Sequence, residues 1–246
     1  MRERQNEFVN GNIMTFQVSE SSRFVFSPPR PLVTLRSDTG ADGGRYYMIP
    51  GGGRAPSVTT VCGVKKRNII KAWKKKVGPT EAARISKEAT NRGNSMHSAL
   101  EKYILGTAVV DIQEGMMPIP QQLFFSMKKL LDENLNCVYY QEQTLFSRKL
   151  WMAGRTDLIG FYDGELAVID YKSSGKPKKK EWIEDYFVQC TAYALMHEEQ
   201  TGIAINKIVV LIGVEGAEPQ VFVERTENYI TILAEYKEMY DCYVPF

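Results

Sequence analysis

One short segment constrains this chain more than any other. It reads Gly154-Arg155-Thr156-Asp157-Leu158-Ile159-Gly160-Phe161-Tyr162-Asp163-Gly164-Glu165-Leu166-Ala167-Val168-Ile169-Asp170-Tyr171-Lys172. Asp163-Gly164 is a strong signal for a two-residue hairpin, because a type I′ turn needs positive φ at both central residues. Folding the chain there sets Tyr162 opposite Glu165 and Phe161 opposite Leu166. The same register carries Asp157 to a position opposite Asp170. Directly opposed residues have Cβ atoms about 4.5–5.5 Å apart, so the two carboxylates repel unless a cation or a proton lies between them. Lys172, two residues beyond Asp170, projects from the same face of its strand.

Composition narrows the surroundings of this hairpin. The 246 residues suffice for one large domain or two small ones, with apolar and charged fractions of an ordinary globular protein. A net charge of +2 singles out no partner, but its distribution does. Seven basic residues and no acid lie between Lys65 and Lys76, and five lysines and no acid between Lys172 and Lys180. Such clusters suit a polyanion, and a solvated helix face can carry the same pattern. Cys62, Cys137, Cys190 and Cys242 are widely spaced, with no CxxC pair, so neither a zinc knuckle nor a cysteine-held cluster is expected. No apolar run approaches the roughly 20 residues of a membrane span, and the first residues lack the apolar core of a signal peptide. A reduced, cytoplasmic setting is expected.

The order of elements predicts an α/β layered domain. Residues 1–56 offer a strand at Phe24–Phe26, a break at Pro28-Pro29 and a glycine loop at Gly51–Gly53. A short helix within 57–76 carries the first basic cluster. Thr80 reads as an N-cap for a helix over 81–105, and Leu123, Met127, Leu130 and Leu131 form the apolar stripe of a helix over 120–135. Strands are expected near 137–147, 151–162 and 166–173, then a helix over 181–200. The run Ile208–Ile212 has the character of a strand buried on both faces, with 220–223 as its neighbour. Thr226 would cap a last helix, with Tyr229, Leu233, Tyr236 and Tyr240 at core spacing. The chain divides into an extension, 1–80, packed on a core, 81–246.

Asp157, Asp170 and Lys172 are the catalytic candidates. Two carboxylates and an ammonium suit a site that holds Mg²⁺ or Mn²⁺ and hydrolyses phosphodiesters, since these cations prefer oxygen ligands and act as Lewis acids. Lys172 would orient or deprotonate the attacking water. An Asp-x-Lys tripeptide alone is common by chance; the register match gives it weight. His97, with Glu101 one turn later on the same face, is a possible ligand, although a helical histidine is more often an ordinary core or surface residue. Gln189 and Tyr193, at i and i+4, would face the site, or else belong to a helix that packs Ile183, Phe187 and Leu195. His197 extends that stripe and is expected at the surface or in a capping role.

Taken together, these segments resemble the PD-(D/E)XK nucleases, and within them the RecB-like branch. Arg92-Gly93…His97, Gly154-Arg155-Thr156-Asp157, Asp170-Tyr171-Lys172 and Gln189…Tyr193 match that branch's four motifs in order, over about 92–193. Pro56-Ser57-Val58-Thr59-Thr60, Trp73-Lys74-Lys75-Lys76 and the run from Asp170 to Lys178 look like landmarks of the mitochondrial genome maintenance exonucleases and their phage relatives. The resemblance implies a restriction-endonuclease-like mixed sheet flanked by helices. It implies divalent-metal exonuclease activity on single-stranded DNA, with His97, Asp157, Asp170 and the Tyr171 carbonyl as ligands and Lys172 as the catalytic lysine. DNA contacts are expected from Lys65, Lys66, Arg67, Lys74, Lys75, Lys76, Arg92, Lys176 and Lys178. No iron–sulfur cluster is expected, because the cysteine spacing of the relatives that carry one is missing. Replication or recombination proteins are the expected partners, and a bacterial or phage-infected cell the expected setting. An endonuclease on duplex, flap or branched DNA, and a non-catalytic nucleic-acid-binding module of the same fold, are the alternatives.

Overall fold

The computed structural model describes residues 22–243; the first part of the 1–80 extension lies outside them. Six strands form a mixed sheet in the order β1-β5-β6-β7-β8-β9, with β1 (Val25–Phe26), β5 (Leu135–Ser147), β6 (Met152–Tyr162), β7 (Glu165–Ser174), β8 (Lys207–Val214) and β9 (Gln220–Arg225). The β1/β5 and β7/β8 pairs are parallel, and β5/β6, β6/β7 and β8/β9 are antiparallel. Helices cover both faces. On one lie α3 (Pro79–Ile104) and α5 (Pro118–Asn134), joined through the short α4 (Val109–Gln113); on the other lie α1 (Val58–Cys62), α6 (Glu184–Thr201) and α7 (Ile230–Tyr243). The architecture is the restriction-endonuclease-like α/β sandwich expected from the sequence.

Strand β8 shows why two layers are needed. Every residue from Lys207 to Val214 is buried. Ile208, Val210 and Ile212 pack toward α6 and α7, whereas Val209 and Leu211 pack toward α3 and α5. A strand with apolar side chains on both faces demands cover on both. The tyrosine stripe Tyr229, Leu233, Tyr236 and Tyr240 is buried in the α6/α7 layer, as core spacing predicts.

The hairpin follows the sequence closely. Asp163 and Gly164 have φ of 50° and 72°, and pairing runs from Tyr162↔Glu165 to Leu158↔Ile169. The next position in this register sets Asp157 beside Asp170.

Two local expectations change, and a third is filled in. The N-cap of α3 is Gly78, not Thr80, and Pro79 occupies the first turn, where its fixed φ suits a helix start and its missing N–H costs nothing. Thr226 opens a 3-10 turn, Thr226–Tyr229, and its hydroxyl donates to the Ile205 carbonyl rather than capping α7. The short helix expected within 57–76 is present and carries most of the first basic cluster. Ser57 caps α1 by accepting from the Thr60 N–H, a 3-10 turn spans Val64–Lys66, and α2 (Arg67–Val77) follows.

The sequence also concealed a second sheet, formed by β2 (Ser37–Thr39), β3 (Arg45–Met48) and β4 (Arg54–Pro56) in antiparallel order. Leu35, Tyr47, Ile49 and Ala55 pack it against Ala153 at the start of β6. Helix α2 buries none of its residues, and in α3 the buried side chains, apart from Ala82, begin at Met96. The N-terminal half of α3 therefore stands clear of the core and forms a free wall facing the small sheet.

Candidate active site

A cleft of about 680 Å³ opens between these two walls. Thr90, Gly93, Asn94 and His97 line it from α3, and Arg45, Tyr47, Ser57 and Thr59 from the N-terminal sheet and α1. Asp157, Tyr171, Lys172, Gln189 and Tyr193 form its floor.

Each floor residue has an identifiable support. Asp157 Oδ2 accepts the Tyr171 N–H at 2.8 Å, and Asp157 Oδ1 lies 3.5 Å from His97 Nδ1. The His97 ring meets the Tyr171 ring edge-on at 5.8 Å. Asp170 is only 1% exposed and is held from two sides: Gln189 Nε2 donates to Oδ1 at 2.9 Å, and the Lys172 ammonium is ion-paired with Oδ2. The Tyr186 ring lies 5.1 Å from Lys172 Nζ. Tyr193 is sealed against the strand because position 154 is glycine; a Cβ there would meet Tyr193 Cε1 at 2.7 Å and Val58 Cγ2 at 3.1 Å.

The electrostatics show a site crowded with charge. Burial pushes the Asp170 carboxyl up to about 6, with Asp157 adding to the rise and Lys172 opposing it. Burial would do the same to Asp157, but His97 and Lys172 outweigh it and hold that carboxyl below its usual range. Burial works against the Lys172 ammonium, yet Asp170 and Asp157 more than offset it, so the lysine holds its proton more tightly than usual. His97 likewise gains more from Asp157 than burial removes, and its pKa is raised.

Sequence reasoning missed Glu142. It lies within β5, and its carboxylate, the His97 imidazole and the Asp157 carboxylate offer ligand atoms all within 4.8 Å of one another. Burial, and next the Asp157 charge, pushes its carboxyl up to about 7, although Arg155 Nε lies 2.8 Å from its Oε2. The one available signal was a charged residue inside a strand, in Gln141-Glu142-Gln143, whose two neighbours are buried.

The donor set His97, Glu142, Asp157 and Asp170 is one imidazole nitrogen with carboxylate oxygens, which suits Mn²⁺ and Mg²⁺. The crowding of acids, with Asp170 shifted upward despite two donors, is what a cation would relieve. The residues present fit a divalent metal.

The basic residues fall into different settings. Lys65 and Lys66 are ion-paired with Glu184 and Asp185, each at 2.7 Å. Arg67 stacks over Tyr243. Lys74, Lys75 and Lys76 occupy the exposed last turn of α2. Arg92 is ion-paired with Glu215 beside the cleft. Lys176 and Lys178 lie in the loop after β7, where the Lys178 N–H donates to Gln220. His197 is not at the surface. It is fully buried, and its Nδ1 lies 2.9 Å from the Ile203 carbonyl.

The sequence pattern of the PD-(D/E)XK nuclease superfamily matches residues 72–228, more than half of the chain. The protein belongs to the PD-(D/E)XK nuclease superfamily. Among solved structures it is similar to the crystal structure of SSO0001, at 15% identity and a TM-score of 0.40 over 76% of this chain and 77% of that one. No curated protein matches the sequence. No helix among the described residues is long and apolar enough to cross a membrane.

Proposed function

We propose that this protein is a divalent-metal-dependent DNA exonuclease acting on single strands, of the RecB-like branch and akin to the mitochondrial genome maintenance exonucleases and their phage relatives. The observation that carries the reading is the convergence of His97, Asp157, Asp170, Lys172 and Gln189, from α3, β6, β7 and α6, around one cleft. His97, Asp157, Asp170 and the Tyr171 carbonyl would hold Mg²⁺ or Mn²⁺. When bound, the cation supplies Lewis-acid stabilisation of the phosphoryl oxygens and a water of lowered pKa.

The chain's own groups supply the rest. Lys172 stays protonated at neutral pH, so it serves as a donor that orients the attacking water and stabilises charge developing on the phosphate. Gln189 fixes one Asp170 oxygen and leaves the other to the lysine. Tyr193, wedged on Gly154, holds α6 at the distance this requires. The cleft, walled on one side by α3 and on the other by the N-terminal sheet and α1, is where a strand would lie. Lys74, Lys75, Lys76, Lys176 and Lys178 would contact phosphates along the approach.

The test is cleavage of end-labelled linear single strands, matched duplexes and circular single strands with Mg²⁺, Mn²⁺ or EDTA, using Lys172→Ala as control. Metal-dependent loss of linear strands with circles spared is the expected result, and the labels give polarity. Cut circles would make the protein an endonuclease. No cleavage of any substrate would reduce it to a binding module.

A further inference from the structure

Trp182 presents its indole to solvent from the lysine-rich segment between β7 and α6. The residue is 58% exposed, whereas Trp151 lies against Gly53 and Trp73 is half-buried. Single exposed apolar residues are ordinary on a protein surface, so exposure alone decides nothing. The backbone beneath the ring is firmly held. Lys180–Trp182 forms a 3-10 turn, in which the Trp182 N–H donates to the Lys179 carbonyl at 3.0 Å and the Ile183 N–H to the Lys180 carbonyl at 3.2 Å. Ile183, only 1% exposed, anchors the turn in the α6/α7 layer of the core. The Trp182 carbonyl accepts from Lys66 Nζ at 3.4 Å. The turn is fixed from below, and the ring is left outside.

A second observation ties this ring to the cleft. Tyr186, in the first turn of α6, has two ammonium groups near its ring, Lys172 Nζ at 5.1 Å and Lys66 Nζ at 5.3 Å. Lys66 is the lysine that also holds the Trp182 carbonyl. Lys179 Nζ lies 5.5 Å from the Trp182 ring. Cations and aromatic rings therefore alternate outward from the cleft floor, in the order Lys172, Tyr186, Lys66, Trp182, Lys179. Lys65, Lys66 and Lys180 are ion-paired with Glu184, Asp185 and Glu224. Lys176, Lys178 and Lys179 have no ion-pair partner among the described residues, so the outer end of the series carries surplus positive charge.

We propose that Trp182 is a stacking platform for one unpaired base of a single strand whose neighbouring nucleotides reach the cleft at Lys172, with Lys176, Lys178 and Lys179 facing its phosphates. A basic track with aromatic rings along it is how single strands are held without sequence preference, because every base has a π-face. A base inside a duplex is already stacked on its neighbours and cannot offer that face. The ring therefore selects for unpaired strands and not for sequence. The proposal rests on the single-strand reading above and names the group that enforces it.

Binding of end-labelled oligothymidylate, followed by fluorescence anisotropy in EDTA to prevent cleavage, tests it. Trp182→Ala is expected to weaken binding about 5- to 150-fold, the range for loss of one base–aromatic stack, and Trp182→Phe to recover most of that loss. An oligomer of the same length with the sugar–phosphate backbone but no bases separates stacking from charge and from folding. Its affinity is expected to be the same for the parent and Trp182→Ala. Equal affinity of the parent and Trp182→Ala for oligothymidylate, or an equal loss on both oligomers, would overturn the platform and leave the nuclease reading intact. Failure of the parent to bind oligothymidylate would overturn the single-strand reading, and the platform with it.

Discussion

Helix α6 passes both the charged floor of the cleft and a fully buried polar site. One stripe at four-residue spacing makes both. Gln189 reaches the Asp170 carboxylate, Tyr193 closes the floor of the cleft, and His197 lies fully buried beneath the Tyr140 ring at 5.8 Å. At the cleft, charges are packed together out of water, which leaves the Asp170 and Glu142 carboxyls shifted upward and the Asp157 carboxyl, beside His97 and Lys172, shifted downward. At the sealed end, burial lowers the His197 pKa, so the imidazole stays neutral and spends its N–H on the Ile203 carbonyl. The difference teaches how to read a buried polar group. A buried group kept neutral specifies packing even where, as with His197 Nε2, one polar atom goes without a partner, whereas a set with surplus charge is built for something that arrives later.

The contrast breaks most visibly through Lys172→Ala. On the proposed mechanism the ammonium orients the attacking water, so its removal is expected to lower strand cleavage by about 100- to 1,000-fold, the range for loss of one preorganised donor. Asp170 loses its ion pair but keeps Gln189, and its carboxyl, already shifted to about 6, can relieve its burial by taking up a proton. Circular dichroism should therefore still report a folded chain. Parental cleavage rates in this variant would mean that the charged end of α6 is not the working end.

The second largest effect is expected in affinity. On the proposed function, Lys74, Lys75 and Lys76 would bear on approach rather than chemistry. Replacing all three with alanine should weaken single-strand binding and flatten its salt dependence, by about 0.7 in log–log slope for each phosphate no longer neutralised. An unchanged slope, measured by anisotropy over a salt series, would detach α2 from the DNA path.

The hairpin register, the β8 run and the tyrosine stripe were legible because each is a local pattern: a turn dipeptide, a continuous apolar run, a helical spacing. Asp157, Asp170 and Lys172 followed from the turn alone. Glu142 was not legible, because its place beside Asp157 depends on the pairing of β5 with β6, and bulges near Cys137 and Tyr140 shift that register. The small N-terminal sheet was hidden for a related reason. Its strands are three or four residues long and too short for alternation to show, and their partners are fixed by packing against β6. His197 was expected at the surface or in a capping role; the fold buries it, with Tyr140 packed on its ring and the Ile203 carbonyl, just past the end of α6, as its partner.

Gly154→Ala probes the junction between the two ends. The added Cβ would stand 2.7 Å from the Tyr193 ring, which is itself packed and unable to yield freely. A loss of about 1–3 kcal/mol in stability is expected, as for other overpacked cores. Because Tyr193 seats α6, cleavage should fall with it. A stable variant with full activity would show that Tyr193 does not hold the helix against the site.

His197→Gln is expected to have the smallest effect, and the sharpest one in pH. The amide can still donate to the Ile203 carbonyl, so stability at pH 8 should change by no more than about 1 kcal/mol, the net value of one hydrogen bond. The parent behaves differently in acid. Its folded-state His197 pKa lies below the ordinary 6.5, so below that pH the unfolded chain binds more protons than the folded one. The histidine's contribution is therefore complete above pH 6.5 and is lost as pH falls toward the lowered folded value. Glutamine cannot charge, so the stability difference between variant and parent should shift in the variant's favour from pH 7 to pH 5 in urea titrations, with cleavage at pH 8 unchanged. A parallel pair of pH profiles would mean that His197 takes up a proton as readily in the fold as in the unfolded chain, and the sealed end of α6 would then not hold its imidazole neutral.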